Sequence, residues 1–348
     1  MAYASFNKPS LQFNTKLYTG NGSVTTHTGV GFQPDMVWIK DRTGTNNHEI
    51  ADVVRGANYQ IYPNLSNQQT NAGGHLTAFT SDGFTLGTDG ATNTNSSDYC
   101  SWNWKAGNSQ GSANTDGSIN TTYTSVNTAA GFSISQYTGD GNNGATVGHG
   151  LGVVPQSVWI KRLSGSNAMI VYHEGYGNNA SVAFDNSDAS TGNFWNSTSP
   201  TSSVVAMTNS TECNSNGQTY VMYAFADKKG YSKFGKYKGN GNSSGDGAFI
   251  YLGFKPAWFM VKNISANGHG FYMFDNKRDV DNPTNKYLVA NTNAADASFD
   301  WMDFNSNGIK VRGNSGGANN NNETYIYWAY ADEPLVANVG QSIPATAR

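Results

Sequence analysis

The chain repeats itself. Tyr18-Thr-Gly-Asn-Gly22 returns as Tyr137-Thr-Gly-Asp-Gly141 and again as Tyr237-Lys-Gly-Asn-Gly241. Each copy is followed by a Gly-x-x-Pro element, Gly31 to Pro34, Gly152 to Pro155 and Gly253 to Pro256. Four residues past the prolines stand Trp38, Trp159 and Met260, and six past them Lys40, Lys161 and Lys262. Each unit closes on a Tyr-rich strand that begins at Tyr99, Tyr220 or Tyr325, which lie 65, 65 and 69 residues after their prolines. Anchors that keep such spacing mark a duplicated structural unit. The chain therefore reads as three copies of a module of about 100 residues.

The letters inside a copy say what kind of module it is. Cys100, Trp102 and Trp104 alternate along the first closing strand, as do Val221, Tyr223 and Phe225, then Ile326, Trp328 and Tyr330. Large apolar residues at period two bury one face of a sheet. Met36-Val-Trp-Ile39 and Val158-Trp-Ile160 are continuously apolar, which predicts strands covered on both sides or facing a neighbouring module. Ile61 to Asn64, Val182 to Asp185 and Leu288 to Asn291 form a weaker third correspondence. Gly83-Phe84 and Gly308-Ile309 mark a fourth, with no clear counterpart in the second copy. With Gly 40 and Pro 9 in 348 residues, helix interiors are disfavoured. We expect an all-β chain of three tandem β-sandwich, jelly-roll-like modules. They span 13–107, 131–230 and 231–333, with an arm at 1–12, a polar linker at 108–130 and a tail at 334–348.

A formal net charge of −3 leaves no electrostatic footprint for nucleic acid. No apolar stretch reaches the length of a bilayer span, and the opening MAYASFNKPSLQF lacks the apolar core of a secretory leader. Cys100 and Cys213 are too few for a disulfide framework, and nothing local argues for the one bridge they could form. The fold must rest on aromatic cores.

Candidates for chemistry are sparse. Gly139-Asp-Gly141-Asn-Asn-Gly144 has dinucleotide-loop spacing, but no helix pattern follows it, so it reads as a turn. The glutamates Glu49, Glu174, Glu212, Glu323 and Glu333 form no paired-carboxylate pattern. Asp279, Asp281, Asp300 and Asp303 read as solvated loop residues. His27, His48, His75, His149, His173 and His269 show no metal-ligand spacing with one another or with Cys, and His173 and Glu174 fall on opposite strand faces. Asp185-Asn-Ser-Asp188 lacks the residue order of a calcium loop. The repeated lysines read as strand-end residues whose stems cover aromatics while their amines reach water. The residues thus predict no catalytic, cofactor or metal site, and name no ligand-binding residue.

These anchors also carry a resemblance. Gly31-Phe-Gln-Pro-Asp-Met-Val-Trp-Ile-Lys40, Asp52-Val-Val-Arg-Gly56 and Ser81-Asp-Gly-Phe-Thr-Leu-Gly87 resemble a recurrent module of tailed-bacteriophage virion proteins, many from phages of marine bacteria. Tyr220-Val-Met-Tyr-Ala-Phe-Ala226, Gly230-Tyr-Ser-Lys-Phe-Gly235 and Asn282 to Asn291 are similar to its later repeats. The resemblance covers about 13–333 and implies a concanavalin-A-like fold and no catalytic residues. It implies a non-enzymatic structural protein on the virion surface, present in several copies against other capsid or tail proteins. A long heptad shaft and a large anchoring domain are lacking, which favours a head decoration or knob over a complete tail fibre. Aromatic and Asn-rich loops also suit a lectin-like contact with host-surface carbohydrate. A virion-borne glycan-degrading enzyme is the rival reading.

Overall fold

A computed structural model describes residues 4–335. The expected tail lies outside the described residues from 336 onward. In the first third the strands are β1 (Phe13–Thr19), β2 (Thr25–Thr28), β3 (Met36–Asp41), β4 (Glu49–Asp52), β5 (Leu76–Thr80), β6 (Gly83–Leu86) and β7 (Asp98–Trp104), with one short helix, α1 (Gly90–Asn93). Then come β8 (Thr121–Asn127), β9 (Phe132–Thr138), β10 (Ala145–Gly148), β11 (Ser157–Arg162), β12 (Ile170–His173), β13 (Gly177–Ala183), β14 (Val204–Met207) and β15 (Thr219–Phe225). The last third holds β16 (Ser232–Lys238), β17 (Phe249–Tyr251), β18 (Phe254–Asn263), β19 (Phe271–Asp275), β20 (Thr284–Val289), β21 (Ala297–Asn305), β22 (Gly308–Val311) and β23 (Thr324–Pro334). The chain is all-β, and its named sheets pair antiparallel.

The same four-strand order occurs three times. It runs β1-β7-β3-β4, then β9-β15-β11-β12, then β16-β23-β18-β19. The registers agree residue by residue. Trp38 faces Trp102, Trp159 faces Tyr223, and Met260 faces Trp328 across the central strand pair. One face of each sheet carries the alternating aromatics read from the sequence, and these three faces meet in one common core. Trp38, Trp102, Trp159, Tyr223, Met260 and Trp328 all belong to it. The opposite faces carry Val37 and Ile39, Val158 and Ile160, or Phe259 and Val261, each packed into a separate outer core. The apolar post-proline strands are therefore covered on both sides, and the inner cover is the neighbouring repeats. Burying rings of this size stabilises a fold by about 1.5–3 kcal/mol each.

The outer layers differ between thirds. In the first, β2-β6-β5 forms a separate sheet, and in the second β10 pairs β14. In the third, the main sheet continues through β20, β21 and β22 to β17 without interruption. β14 supplies the element the sequence left blank in copy two: Val205 lies opposite Val147, as Phe84 lies opposite His27. It was hidden because copy two has no Gly-turn hairpin feeding that strand.

The expected polar linker is built structure and needs correction. β8 adds to the edge of the second sheet beside β9, and Ile119 bridges Val147 and enters the outer core. Its inward residues Thr121 and Thr124 are hydroxyls bonded to each other at 2.8 Å, and Thr124 bonds Ser135 of β9 at 3.2 Å, so the strand reads as polar by composition. The described part of the N-terminal arm, from Ala4 on, is also packed. Ser5 donates to the Lys229 carbonyl at 2.8 Å, and Phe6 meets the Tyr231 ring edge-on at 5.1 Å. Gly230 is required there: it has φ +71°, and a Cβ would sit 2.8 Å from the Ala4 methyl.

Candidate functional site

Each closing strand reaches into the repeat before it, and the first reaches into the third. Tyr223 Oη donates to Asp52 Oδ2 at 2.6 Å, and Trp328 Nε1 donates to Ser157 Oγ at 2.9 Å. Trp102 Nε1 donates to Asp275 Oδ2 at 3.1 Å, which closes the ring. Asp52, His173 and Asp275 occupy one register position, opposite Met36, Ser157 and Trp258. Asp52 and Asp275 each hold a buried arginine three residues on, Arg55 and Arg278, at 2.6 Å. His173 replaces the acid in copy two, packs its ring on Trp328 at 4.6 Å and needs no arginine.

The repeated lysines lie at the other end of these strands. Lys40, Lys161 and Lys262 are all fully buried, so the expectation that their amines reach water is wrong. Lys161 Nζ donates to Leu65 O at 2.9 Å in the first repeat and to Asn167 O at 2.5 Å in its own hairpin. Lys262 does the same with Ser187 O at 3.1 Å and His269 O at 2.5 Å. Lys40 donates to Asp41 O and Gly44 O. Burial pushes all three ammonium groups down to about 8. A lysine donates three times and accepts nothing, so converging carbonyls suit it. Lys161 and Lys262 tie their repeats to the one before, while Lys40 closes on its own hairpin.

A third recurring device escaped sequence reading. Tyr18–Tyr99, Tyr137–Tyr220 and Tyr237–Tyr325 stack at 5.1, 5.3 and 5.1 Å. Beside each pair a buried asparagine, Asn93, Asn214 or Asn319, accepts from the backbone N–H of Asn21, Asp140 or Asn240. Its amide donates to the carbonyl of Ser23, Asn142 or Asn242. Each asparagine stands six residues before its tyrosine, a spacing that is visible in the sequence but lost among many Asn residues.

One cluster breaks the threefold pattern. Glu49 on β4 and His75 before β5 are joined by Nδ1 to Oε2 at 2.9 Å, and Asp89 Oδ2 lies 3.4 Å from His75 Nε2. Glu49 and His75 are 3 % and 5 % exposed. Burial opposes charge on His75, but the hydrogen bond and charge of Glu49, helped by Asp89, outweigh it and raise its pKa. Burial raises the Glu49 carboxyl, against the pull of His75. Both residues line a cavity of about 310 Å³ whose walls include Asn46, Asn47, Tyr62 and Thr70. The three are 26 and 14 residues apart in sequence, and only strand pairing brings them together.

The other sequence candidates are dispersed. Gly139 to Gly144 leads into β10, not a helix. Asp281 and Asp300 are exposed, but Asp303 is buried and paired with Arg312, and Asp279 accepts the Asn285 backbone N–H at 2.7 Å. The loop Asp185 to Asp188 gives its Ser187 carbonyl to Lys262. His48, His149 and His173 are buried with a donor at Nδ1 and a carbonyl at Nε2. Cys100 and Cys213 are free and buried.

No curated protein and no solved structure matches the chain. A family defined as a domain of unknown function, DUF7483, matches residues 8–334 as a single unit. That span takes in all three repeats and the packed end of the N-terminal arm, and the chain belongs to the DUF7483 family.

Proposed function

We propose that the protein is a non-enzymatic structural component exposed on a bacteriophage particle, a head decoration or knob or a part of a tail fibre. In this reading each third is a concanavalin-A-like β-sandwich repeat, with the main sheet as one layer and the outer strands as the other. The observation that carries the proposal is where the recurring residues are used. Trp102, Tyr223 and Trp328, with Lys161 and Lys262, tie the repeats together, and the buried asparagines hold the loops of their own repeats. What recurs is scaffolding, as a particle component that holds one shape requires.

The lysine end of the ring supports host-surface carbohydrate as a second contact. There the chain offers three versions of one Asn-rich loop, Asn21 to Ser23, Asp140 to Asn143 and Asn240 to Ser244, with Asp140 the one carboxylate among them. Amide, hydroxyl, carboxylate and backbone groups match sugar hydroxyls.

Labelled antibody on intact, purified particles tests the role. Surface labelling of the head or tail is expected. A protein absent from washed particles would remove the proposal. Reducing-sugar release from a broad glycan panel separates the enzyme reading: the proposal expects none.

A further inference from the structure

The three repeats can be compared atom by atom, and this gives the cluster in the first one its meaning. Glu49 faces Ile39 across β3 and β4, where Ile170 faces Ile160 and Tyr272 faces Val261. The His75 carbonyl accepts from Gly87 N, as Phe194 O accepts from Thr208 N and Trp301 O from Arg312 N. The Asp89 carbonyl accepts from Asn93 N, as Ser210 O and Ser315 O accept from Asn214 and Asn319. So Glu49, His75 and Asp89 stand where the second copy has Ile170, Phe194 and Ser210, and the third has Tyr272, Trp301 and Ser315. In copy three, Tyr272 and Trp301 pack together at 4.7 Å. The fold fills this place with an apolar pair twice. The charges in copy one are not needed to build it.

We propose that this cluster binds a divalent transition-metal ion, with His75 Nε2 and Asp89 as direct ligands and Glu49 as the carboxylate that fixes the imidazole. Three features point there. The Nε2 to Oδ2 separation of 3.4 Å is loose for a charge-assisted hydrogen bond. It equals the ligand–ligand edge, about 3.4 Å, of a four-coordinate ion with bonds near 2.1 Å. Glu49 Oε2 accepts a hydrogen bond from Nδ1–H at 2.9 Å, which leaves the lone pair on Nε2 and makes it more basic. Glu49 Oε1 is buried in the cavity wall with no hydrogen-bond partner, an acceptor suited to a water carried by the ion.

One imidazole nitrogen with carboxylate oxygens favours zinc, cobalt, nickel or manganese over calcium. Two protein ligands leave positions open toward the cavity, where Asn46, Asn47, Thr70 and Tyr62 flank a second, oxygen-bearing ligand. The inference is independent of where the protein sits on a particle.

Cobalt(II) titration of the untagged full chain, stripped of metal, tests it by calorimetry and visible absorption, with zinc as competitor. One ion per chain is expected, displaced by zinc. Glu49→Gln should weaken binding about 10–100-fold. Asp89→Ser should abolish it. So should the triple replacement Glu49→Ile, His75→Phe and Asp89→Ser, which installs residues the fold already accommodates in copy two. A wild-type chain that takes up no stoichiometric cobalt or zinc overturns the site. So does a triple variant that melts cooperatively and binds either ion as tightly.

Discussion

Trp102 Nε1 donates to Asp275 Oδ2 across 173 residues of chain, and this bond makes the first repeat the neighbour of the third. Asp275 is wholly buried; burial works against its charge, but Arg278 outweighs it and holds the carboxyl below its ordinary range. Trp102 also lies 5.6 Å beneath the Arg278 guanidinium. Ring closure thus places an indole in a fully desolvated ion pair, where a missing partner is costly.

Replacing Trp102, Tyr223 or Trp328 by Ala should each cost about 3–5 kcal/mol in denaturant unfolding, because each is fully buried in the common core. Tyr223→Phe isolates the polar part. It removes one bond to the Asp52 carboxylate and should cost about 1–3 kcal/mol. Equal stability of Tyr223→Phe and wild type would show that the hydroxyl contributes nothing to closure.

Acid should weaken the fold through His173. Its Nε2–H donates to Tyr327 O at 3.0 Å, and its Nδ1 accepts from Gly175 N at 3.0 Å, so only the neutral ring satisfies both. Burial lowers its pKa to about 4, helped by the charge of Lys236. The unfolded chain therefore binds the proton first. The stability His173 contributes is complete above pH 6.5 and is lost as the pH falls through about 4, a swing of about 3 kcal/mol. Asp35 and Asp227, raised to about 6 by burial, act in the opposite sense over part of this range. The comparison is accordingly with His173→Gln, whose stability should fall less between pH 6.5 and 4. Parallel curves would contradict the assignment.

Lys161→Met should cost about 1–3 kcal/mol, since it strands the Leu65 and Asn167 carbonyls. The sign of its pH dependence is a second check. Burial lowers the ammonium to about 8, so the unfolded lysine holds its proton longer and wild-type stability rises from pH 8 toward 10.5. The gap between wild type and Lys161→Met should widen over that range. Constancy would mean that the amine is hydrated after all.

Much of this was legible in the letters. The alternating faces of the three closing strands, the doubly covered post-proline strands and the equivalence of Ile61, Val182 and Leu288, which face Ile50, Val171 and Met273, follow from period and spacing, because apolar pattern reports burial directly. What escaped was polar. β8 was hidden by its Thr and Ser composition, and the lysines looked solvated because a single sequence cannot show three carbonyl pairs waiting for them. The Glu49–His75–Asp89 cluster has no local spacing at all. Its exceptional character appears only when strand register aligns it with Ile170 and Phe194.

Both thiols should be unreactive in the folded protein. Cys100 and Cys213 are buried, and burial pushes Cys213 up to about 12 and Cys100 further. A thiol reagent should count two groups in denaturant and essentially none without it. Rapid native labelling of either would place it at the surface.

One closed ring around a shared aromatic core holds the fold, and native-state hydrogen exchange across a denaturant series addresses it directly. Amides of β7, β15 and β23 should converge on one opening free energy, because no repeat can lose its inner face without exposing the other two. Three separate plateaus, one for each repeat, would contradict the ring.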